Sequence, residues 1–371
     1  MPKCNILDNH ACITVSGNWR PCCRFNEKVQ PWSQVMSANE YSYSEWRNSS
    51  FFTEVYNQQI KGWHEGCFGC KLSEDTGGRS TRLTFNEKLS GNKNSLEYIE
   101  ISLSNECNLA CKMCGPWASS TWMDILKNTN TLNEFFKIPT KSKPVDINKL
   151  FNNIDLSNIK TIKLLGGEPF ITPQTHDFFA YLDDIGILEK IELMTSTNAT
   201  FFPTKLLPYL NKIKRISMSL SIDGMYEVND YVRYKSSWSI FDKTVNNWIS
   251  FFKNRPDKKA LKLSSVLNAY NVHQVCEIDN YAKDKDLMFI YNIINGPEYL
   301  KLEALPELYI NYLKNSKIFN TDVATPILNY FNTIQHNKHL NKLLIQYTEL
   351  LDKITQISLK NSNPILYKYL F

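Results

Sequence analysis

The stretch Ser104-Asn-Glu-Cys107-Asn-Leu-Ala-Cys111-Lys-Met-Cys114-Gly-Pro116 follows a candidate strand, Glu97–Leu103. Three thiols within eight residues can wrap one metal centre, and they supply three ligands rather than four. A [4Fe–4S] cluster held by three cysteines leaves one iron open to an outside ligand. Zinc is the competing metal. Structural zinc takes four ligands, often as paired Cys-x-x-Cys knuckles, and no His or Cys follows nearby to complete such a set.

From residue 97 onward, strand and helix signals alternate. The candidate strands are Glu97–Leu103, Thr161–Leu165, Ile191–Thr195, Ile216–Ile222, Leu261–Leu267 and Leu287–Ile294. Between them, Thr172-Pro173 reads as an N-cap followed by proline at the first helical position, with Gly186 as a stop. Ser239–Asn254 and Asn271–Lys283 carry apolar residues at helical spacing, and Asn271 reads as an N-cap with Cys276 in the core. Pro208 weakens the helical signal near 203–213. Repeated β-α units imply a parallel sheet with right-handed crossovers. Six units are fewer than a closed eight-stranded barrel requires, so an α/β partial barrel is expected, with function at the C-terminal strand ends.

Those ends are polar. The second strand runs into Gly166-Gly167-Glu168-Pro169, where glycines permit close backbone approach and a carboxylate with carbonyls suits an ammonium group. The third ends in Ser196-Thr-Asn198 and the fourth in Ser219-Leu-Ser221, followed by Asp223-Gly224. Small hydroxyls and amides there suit sugar hydroxyls and a carboxylate. Arg233 offers a partner for a carboxylate or a surface salt bridge. The fifth strand ends in Asn268.

Cys-x-x-x-Cys-x-x-Cys after the first strand, with Gly-Gly-Glu-Pro after the second, resembles the radical S-adenosylmethionine (radical SAM) superfamily. The resemblance implies a partial (β/α)6 radical SAM barrel over residues 93–300 and a [4Fe–4S] cluster on Cys107, Cys111 and Cys114. It assigns Gly166, Gly167, Glu168 and Pro169 to the methionyl amine of SAM. Ser196, Asn198, Ser219, Ser221, Arg233 and Asn268 become its further cofactor-binding candidates. The implied chemistry is one-electron reduction of the sulfonium, homolysis to methionine and a 5′-deoxyadenosyl radical, and hydrogen abstraction from substrate, with protein groups orienting the cofactors and excluding water. An electron donor such as flavodoxin or ferredoxin is implied with it. No residue stands out as a second catalytic group.

Six further cysteines lie in the first 70 residues. Ala11–Val15, Gly17-Asn18 and Trp19 onward read as a β-hairpin. The order Cys4-x12-Gly17-x4-Cys22, then Cys67-x2-Cys70, resembles the first part of the SPASM/twitch motif of auxiliary iron–sulfur domains. That resemblance implies a small cysteine-rich domain over 1–92 with an auxiliary [4Fe–4S] cluster on Cys4, Cys22, Cys67 and Cys70. Cys23 is the alternative to Cys22, and Cys12 falls on the hairpin, where it reads as core. A structural zinc on the same thiols is the competing reading. Residues 301–371 are expected to form a helical C-terminal extension: Leu305–Asn315, Pro326–Gln335 and Leu340–Ser358, the last with an apolar stripe. Lys127–Pro144, rich in Asn, Thr and Lys, reads as a surface insertion or flexible connection.

The chain of 371 residues, 43% apolar, is long enough for a large core and is neither disordered nor collagen-like. No apolar run approaches ~18 residues, so no membrane span is expected, and no signal-peptide pattern is seen; reduced cysteines and a cytoplasmic setting are the expectation. With 34 Lys, 8 Arg and no block of five like charges, the net charge of +5 does not point to nucleic acid. Auxiliary clusters accompany peptide or protein modification in the family that the motifs resemble, so a peptide is the first substrate expectation. A small metabolite or carbohydrate is the second, and a non-catalytic iron–sulfur or zinc protein the third.

Overall fold

Apolar and polar residues alternate along Thr161–Leu165, and the strand formed there buries Ile162 and Leu164 while Thr161, Lys163 and Leu165 stay half-buried. The same period-two burial runs through Leu261–Leu267. These strands come from a computed structural model, which describes residues 3–93, 95–129, 135–136 and 145–371. Most of Lys127–Pro144 lies outside the described residues.

Ten strands are described: β1 (His10–Ile13), β2 (Trp19–Arg20), β3 (Tyr98–Ser102), β4 (Ala110–Cys111), β5 (Thr161–Leu165), β6 (Glu192–Thr197), β7 (Arg215–Ser221), β8 (Arg233–Tyr234), β9 (Leu261–Leu267) and β10 (Met288–Ile293). The six strands expected from the sequence correspond to β3, β5, β6, β7, β9 and β10, and the ends differ by no more than two residues. The chain divides into two compact units. One comprises Met1–Glu106, Pro139–Thr195 and Pro203–Ser217, the other Cys107–Ile138, Ser196–Phe202 and Met218–Phe371.

In the first unit, β3 pairs in parallel with β5, and β5 with β6. β1 and β2 form the antiparallel hairpin, but β1 also pairs in parallel with β3, from His10↔Tyr98 to Ile13↔Ile101. This second pairing is absent from the sequence reading. All four β1 residues are buried, so the strand must be covered on both faces and paired on both edges. The register places Arg20, Cys12, Glu100, Lys163 and Met194 in one row across the strands. Pro173 opens the helix Pro173–Asp184, and Gly186 takes φ +66° just beyond its end, a left-handed conformation suited to glycine.

In the second unit, β7 pairs in parallel with β9, and β9 with β10. The β4 and β8 strands make a short antiparallel ladder, Ala110↔Tyr234 and Cys111↔Arg233. Helices Trp238–Phe252, Val275–Asp284, Glu307–Asn315, Thr325–Thr333 and Lys338–Thr355 follow. Leu344, Tyr347 and Leu351 of Lys338–Thr355 bury with Trp122, Tyr231, Tyr270 and Cys276 in one apolar cluster. Asn271 departs from its expected capping role. It is fully buried, and its amide donates to the carbonyls of Asp223 and Val266 while its oxygen accepts from the Asn268 amide, so it ties strand ends together.

Candidate functional site

The loop that carries the three thiols has its carbonyls taken one by one. Thr121 Oγ1 donates to Cys107 O at 2.6 Å, Ser119 Oγ to Leu109 O at 2.6 Å, and Trp122 Nε1 to Cys111 O at 2.9 Å. These three donors flank the start of the helix Ser120–Asn128, whose N-cap is Ser119. A fourth comes from far along the chain: Tyr347 Oη donates to Lys112 O at 2.7 Å. The Lys112 amide in turn donates to Val232 O at 2.8 Å, and that of Cys114 to Cys111 O at 2.9 Å. Lys112 itself is buried, its ammonium 3.8 Å from the centre of the Tyr231 ring and without a hydrogen bond.

The ladder sets Cys111 opposite Arg233, which is 8% exposed and pairs with Asp223 at 2.5 Å. The other Asp223 oxygen accepts from the Val266 amide at 2.8 Å and from Ser265 Oγ at 3.3 Å. Burial opposes the guanidinium charge, but the Cys111 and Asp223 charges outweigh it and hold Arg233 firmly protonated. Cys111 and Cys114 share a hydrogen bond. Together with Arg233 this bond outweighs burial and lowers the Cys111 thiol, whereas the same bond and burial push Cys114 up. The Cys107 charge also reaches Cys114. The loop thus gathers the three thiols, and the Arg233 charge acts on Cys111 and Cys114 in the direction of thiolate.

The glycines of the second strand end meet backbone. Gly166 has φ +143°, and a Cβ on it would stand 2.7 Å from Ser104 O; one on Gly167 would stand 2.3 Å from Glu106 O. Gly167 N donates to Ser104 O at 3.0 Å, and Glu168 N to Glu106 O at 2.7 Å. Only glycine fits this approach between the two strand-end loops of the first unit. Glu168 and Pro169 are buried, and Thr175 Oγ1 donates to the Pro169 carbonyl.

Of the polar strand ends, Asn198 reaches the thiol loop, its Nδ2 at 2.8 Å from Asn108 Oδ1 and 4.0 Å from Cys107 Sγ. Ser196 is exposed, Ser219 buried and Ser221 half-buried. Asn268 is engaged at both ends of its amide, donating to Val266 O and accepting from Tyr270 N, so its side chain builds the turn.

In the first unit the N-terminal thiols separate into two groups. Cys22 feels the charge of Cys23 and, more weakly, those of Cys4 and Cys67, and Cys67 those of Cys4 and Cys70; burial first, then this mutual repulsion, pushes the Cys67 thiol up to about 12 and Cys4 up to about 11. The neighbouring Cys23 instead bonds Glu100, which pairs with Lys163 at 3.1 Å, and its charge reaches Cys12 on β1. Among the described residues, no group of three or more His, Cys, Asp and Glu side chains is arranged to hold a single metal ion. A four-iron cluster makes a different demand, with each thiolate on its own iron. Three thiols on one carbonyl-pinned loop beside Arg233 fit that donor set. The pairing of Arg233 with Asp223 and the reach of Tyr347 were not foreseen from the sequence, and no local spacing signals either.

A family model described as the radical SAM superfamily matches residues 101–258. Among curated proteins, GTP 3',8-cyclase of Helicobacter pylori (strain ATCC 700392 / 26695) is 26% identical over 200 residues, covering 53% of this chain and 55% of that protein. Molybdenum cofactor biosynthesis protein 1 of Homo sapiens is 29% identical over 128 residues, 34% of this chain and 18% of the relative. The chain thus spans about half the length of the cyclase. Among solved structures, native anSMEcpe with bound AdoMet aligns at TM-score 0.39 and 18% identity over 71% of this chain and 67% of its own. Streptococcus suis SuiB bound to precursor peptide SuiA aligns at TM-score 0.38 and 16% identity, over 81% and 64%.

Proposed function

We propose that this chain, which matches the radical SAM superfamily over residues 101–258, is an enzyme of that kind that reductively cleaves SAM and abstracts a hydrogen atom from a peptide or protein substrate. The family uses a [4Fe–4S] cluster and SAM, which when bound supply a one-electron reduction of the sulfonium and homolysis of its C–S bond to methionine and a 5′-deoxyadenosyl radical. The observation that carries the proposal is the gathering of Cys107, Cys111 and Cys114 on one loop beside Arg233.

In this reading the three thiolates hold the cluster, and Arg233, kept in place by Asp223, offsets their negative charge. Asn198 steadies the turn beside Cys107. Gly166 and Gly167 bring the Glu168 loop against the strand-end backbone, and Glu168 with Pro169 and nearby carbonyls receives the methionyl amine. Ser196, Ser219 and Ser221 present hydroxyls to the sugar and carboxylate of SAM. Residues 93–300 act as the catalytic core, 1–92 as an auxiliary part with a second [4Fe–4S] cluster on Cys4, Cys22, Cys67 and Cys70, and 301–371 as a helical extension. We assign electron supply to a flavodoxin or ferredoxin and the setting to the cytoplasm, where an oxygen-sensitive cluster is protected. Among the described residues no helix is long and apolar enough to cross a membrane.

A small-molecule substrate is the second reading, favoured by the name of the cyclase relative, which refers to GTP. The test of the activity is chemical. Protein reconstituted with iron and sulfide under anaerobic conditions and reduced with dithionite is expected to convert SAM to methionine and 5′-deoxyadenosine in equal amounts. Intact SAM after many hours would refute the assignment. Enhancement of that turnover by a peptide rather than by nucleotides supports the first substrate class, and the reverse supports the second.

A further inference from the structure

Of the four carbonyls in the Cys107–Cys114 loop that accept from side chains, three are held by residues 119–122, which follow it closely in the chain. The fourth, on Lys112, is held from 235 positions away by the Tyr347 hydroxyl at 2.7 Å, both residues being buried. That carbonyl belongs to the peptide between Lys112 and Met113, inside the Cys111–Cys114 span. In a trans peptide the carbonyl and the following N–H point in opposite directions, so holding one fixes the other. The same helix, Lys338–Thr355, reaches the Lys112 side chain as well. Asp352 accepts from Tyr231 Oη at 2.8 Å and from the Leu359 amide at 2.7 Å, and the Tyr231 ring lies 3.8 Å from the Lys112 ammonium.

We propose that Tyr347 is a positioning residue for the SAM-cleaving site: its hydroxyl, carried on the helix Lys338–Thr355, sets the peptide plane between Cys111 and Cys114 and so the spacing of two cluster thiolates. The proposal rests on reading those cysteines as cluster ligands. It makes the helix Lys338–Thr355, which lies outside the family-matched residues 101–258, part of the machinery that shapes the site. Groups that orient a metal's ligands without touching the metal typically change its retention by roughly tenfold or more when removed.

The test compares Tyr347→Phe with Tyr270→Phe. Tyr270 is also buried and also bonds the same helix, through Thr348 Oγ1 at 2.8 Å, but it makes no bond to the cysteine loop. Both variants lose one buried hydroxyl, so a merely structural role affects them alike. Thermal midpoints of the iron-free proteins are expected to fall by similar amounts. With iron bound, Tyr347→Phe is expected to lose iron to a chelator roughly tenfold faster than wild type. It should also show an altered electron paramagnetic resonance change on SAM addition, while Tyr270→Phe behaves as wild type in both readouts. If the two variants match each other in both, the positioning role is overturned although the radical SAM reading stands. If the reduced wild-type protein shows no response to SAM, that reading itself fails and the proposal goes with it.

Discussion

Gly167 shows how a motif residue serves structure and site together: a methyl group in place of its hydrogen would stand 2.3 Å from Glu106 O and 2.6 Å from Asn105 O, both backbone atoms that cannot swing away. Gly167→Ala is therefore expected to cost about 1–3 kcal/mol, read as a lower urea midpoint, and to weaken SAM binding because the Glu168 loop is pushed off its seat. The sequence reading attributed the Gly-Gly pair to close approach, and close approach is what it provides, although the partner in view is backbone. His10 makes a prediction of another kind. It is fully buried on β1 and stacked 4.9 Å from Tyr98. Burial, then the Lys163 charge, lowers its pKa from 6.5 to about 3. Between these values the unfolded chain binds a proton that the folded one does not, so the fold loses stability as pH falls from about 6.5 toward about 3. His10→Phe keeps the stack and has no proton to bind. Its unfolding midpoint is expected to be less pH-dependent across that window than the wild type's, and equal slopes would remove His10 from the acid limb.

The strands were legible because alternation of apolar and polar residues is a local signal, and Thr161–Leu165 and Leu261–Leu267 run over the very residues expected. Pairing partners are not local, and for that reason the parallel contact of β1 with β3 escaped the reading while the β1–β2 hairpin, joined by Gly17-Asn18, did not. Asn271 was taken for a cap because asparagine before a helix usually caps it, yet two strand-end carbonyls compete for its amide. The Cys22-Cys23 pair was undecidable from spacing, since adjacent residues satisfy the motif equally. In the structure Cys22 feels the charges of Cys4 and Cys67 besides that of Cys23, whereas Cys23 bonds Glu100. Reconstituted wild-type protein is expected to hold about eight irons per chain, for two four-iron clusters. Cys23→Ala should keep them and Cys22→Ala should fall to about four, by iron assay. The opposite result would exchange the two cysteines in the auxiliary site, and one zinc with about four irons in the wild type would replace that cluster by zinc.

At the scale of the whole chain, the ten cysteines sort by surroundings rather than by count. Cys276, bonded by Thr321 Oγ1 at 3.3 Å within the apolar cluster, is core, and Cys12 is buried on β1. The remaining thiols fall into the Cys107–Cys114 loop, the Cys4–Cys22–Cys67–Cys70 group and Cys23. Clustering along the chain sets the Cys107–Cys114 loop apart from the N-terminal thiols in the sequence alone, but it does not separate Cys22 from Cys23. The ion pair between Arg233 and Asp223 and the bond from Tyr347 to Lys112 were not visible, since they join residues with no common motif. The central claim is that SAM cleavage belongs to the three-thiol loop and not to the N-terminal group. The measurement that tests it is 5′-deoxyadenosine formed from SAM under dithionite, in Cys111→Ala and Cys22→Ala side by side with wild type and with bound iron assayed in each. The account predicts product from wild type and from Cys22→Ala, and none from Cys111→Ala. Product from Cys111→Ala at the wild-type level, or its loss in Cys22→Ala while the core iron is retained, would contradict it.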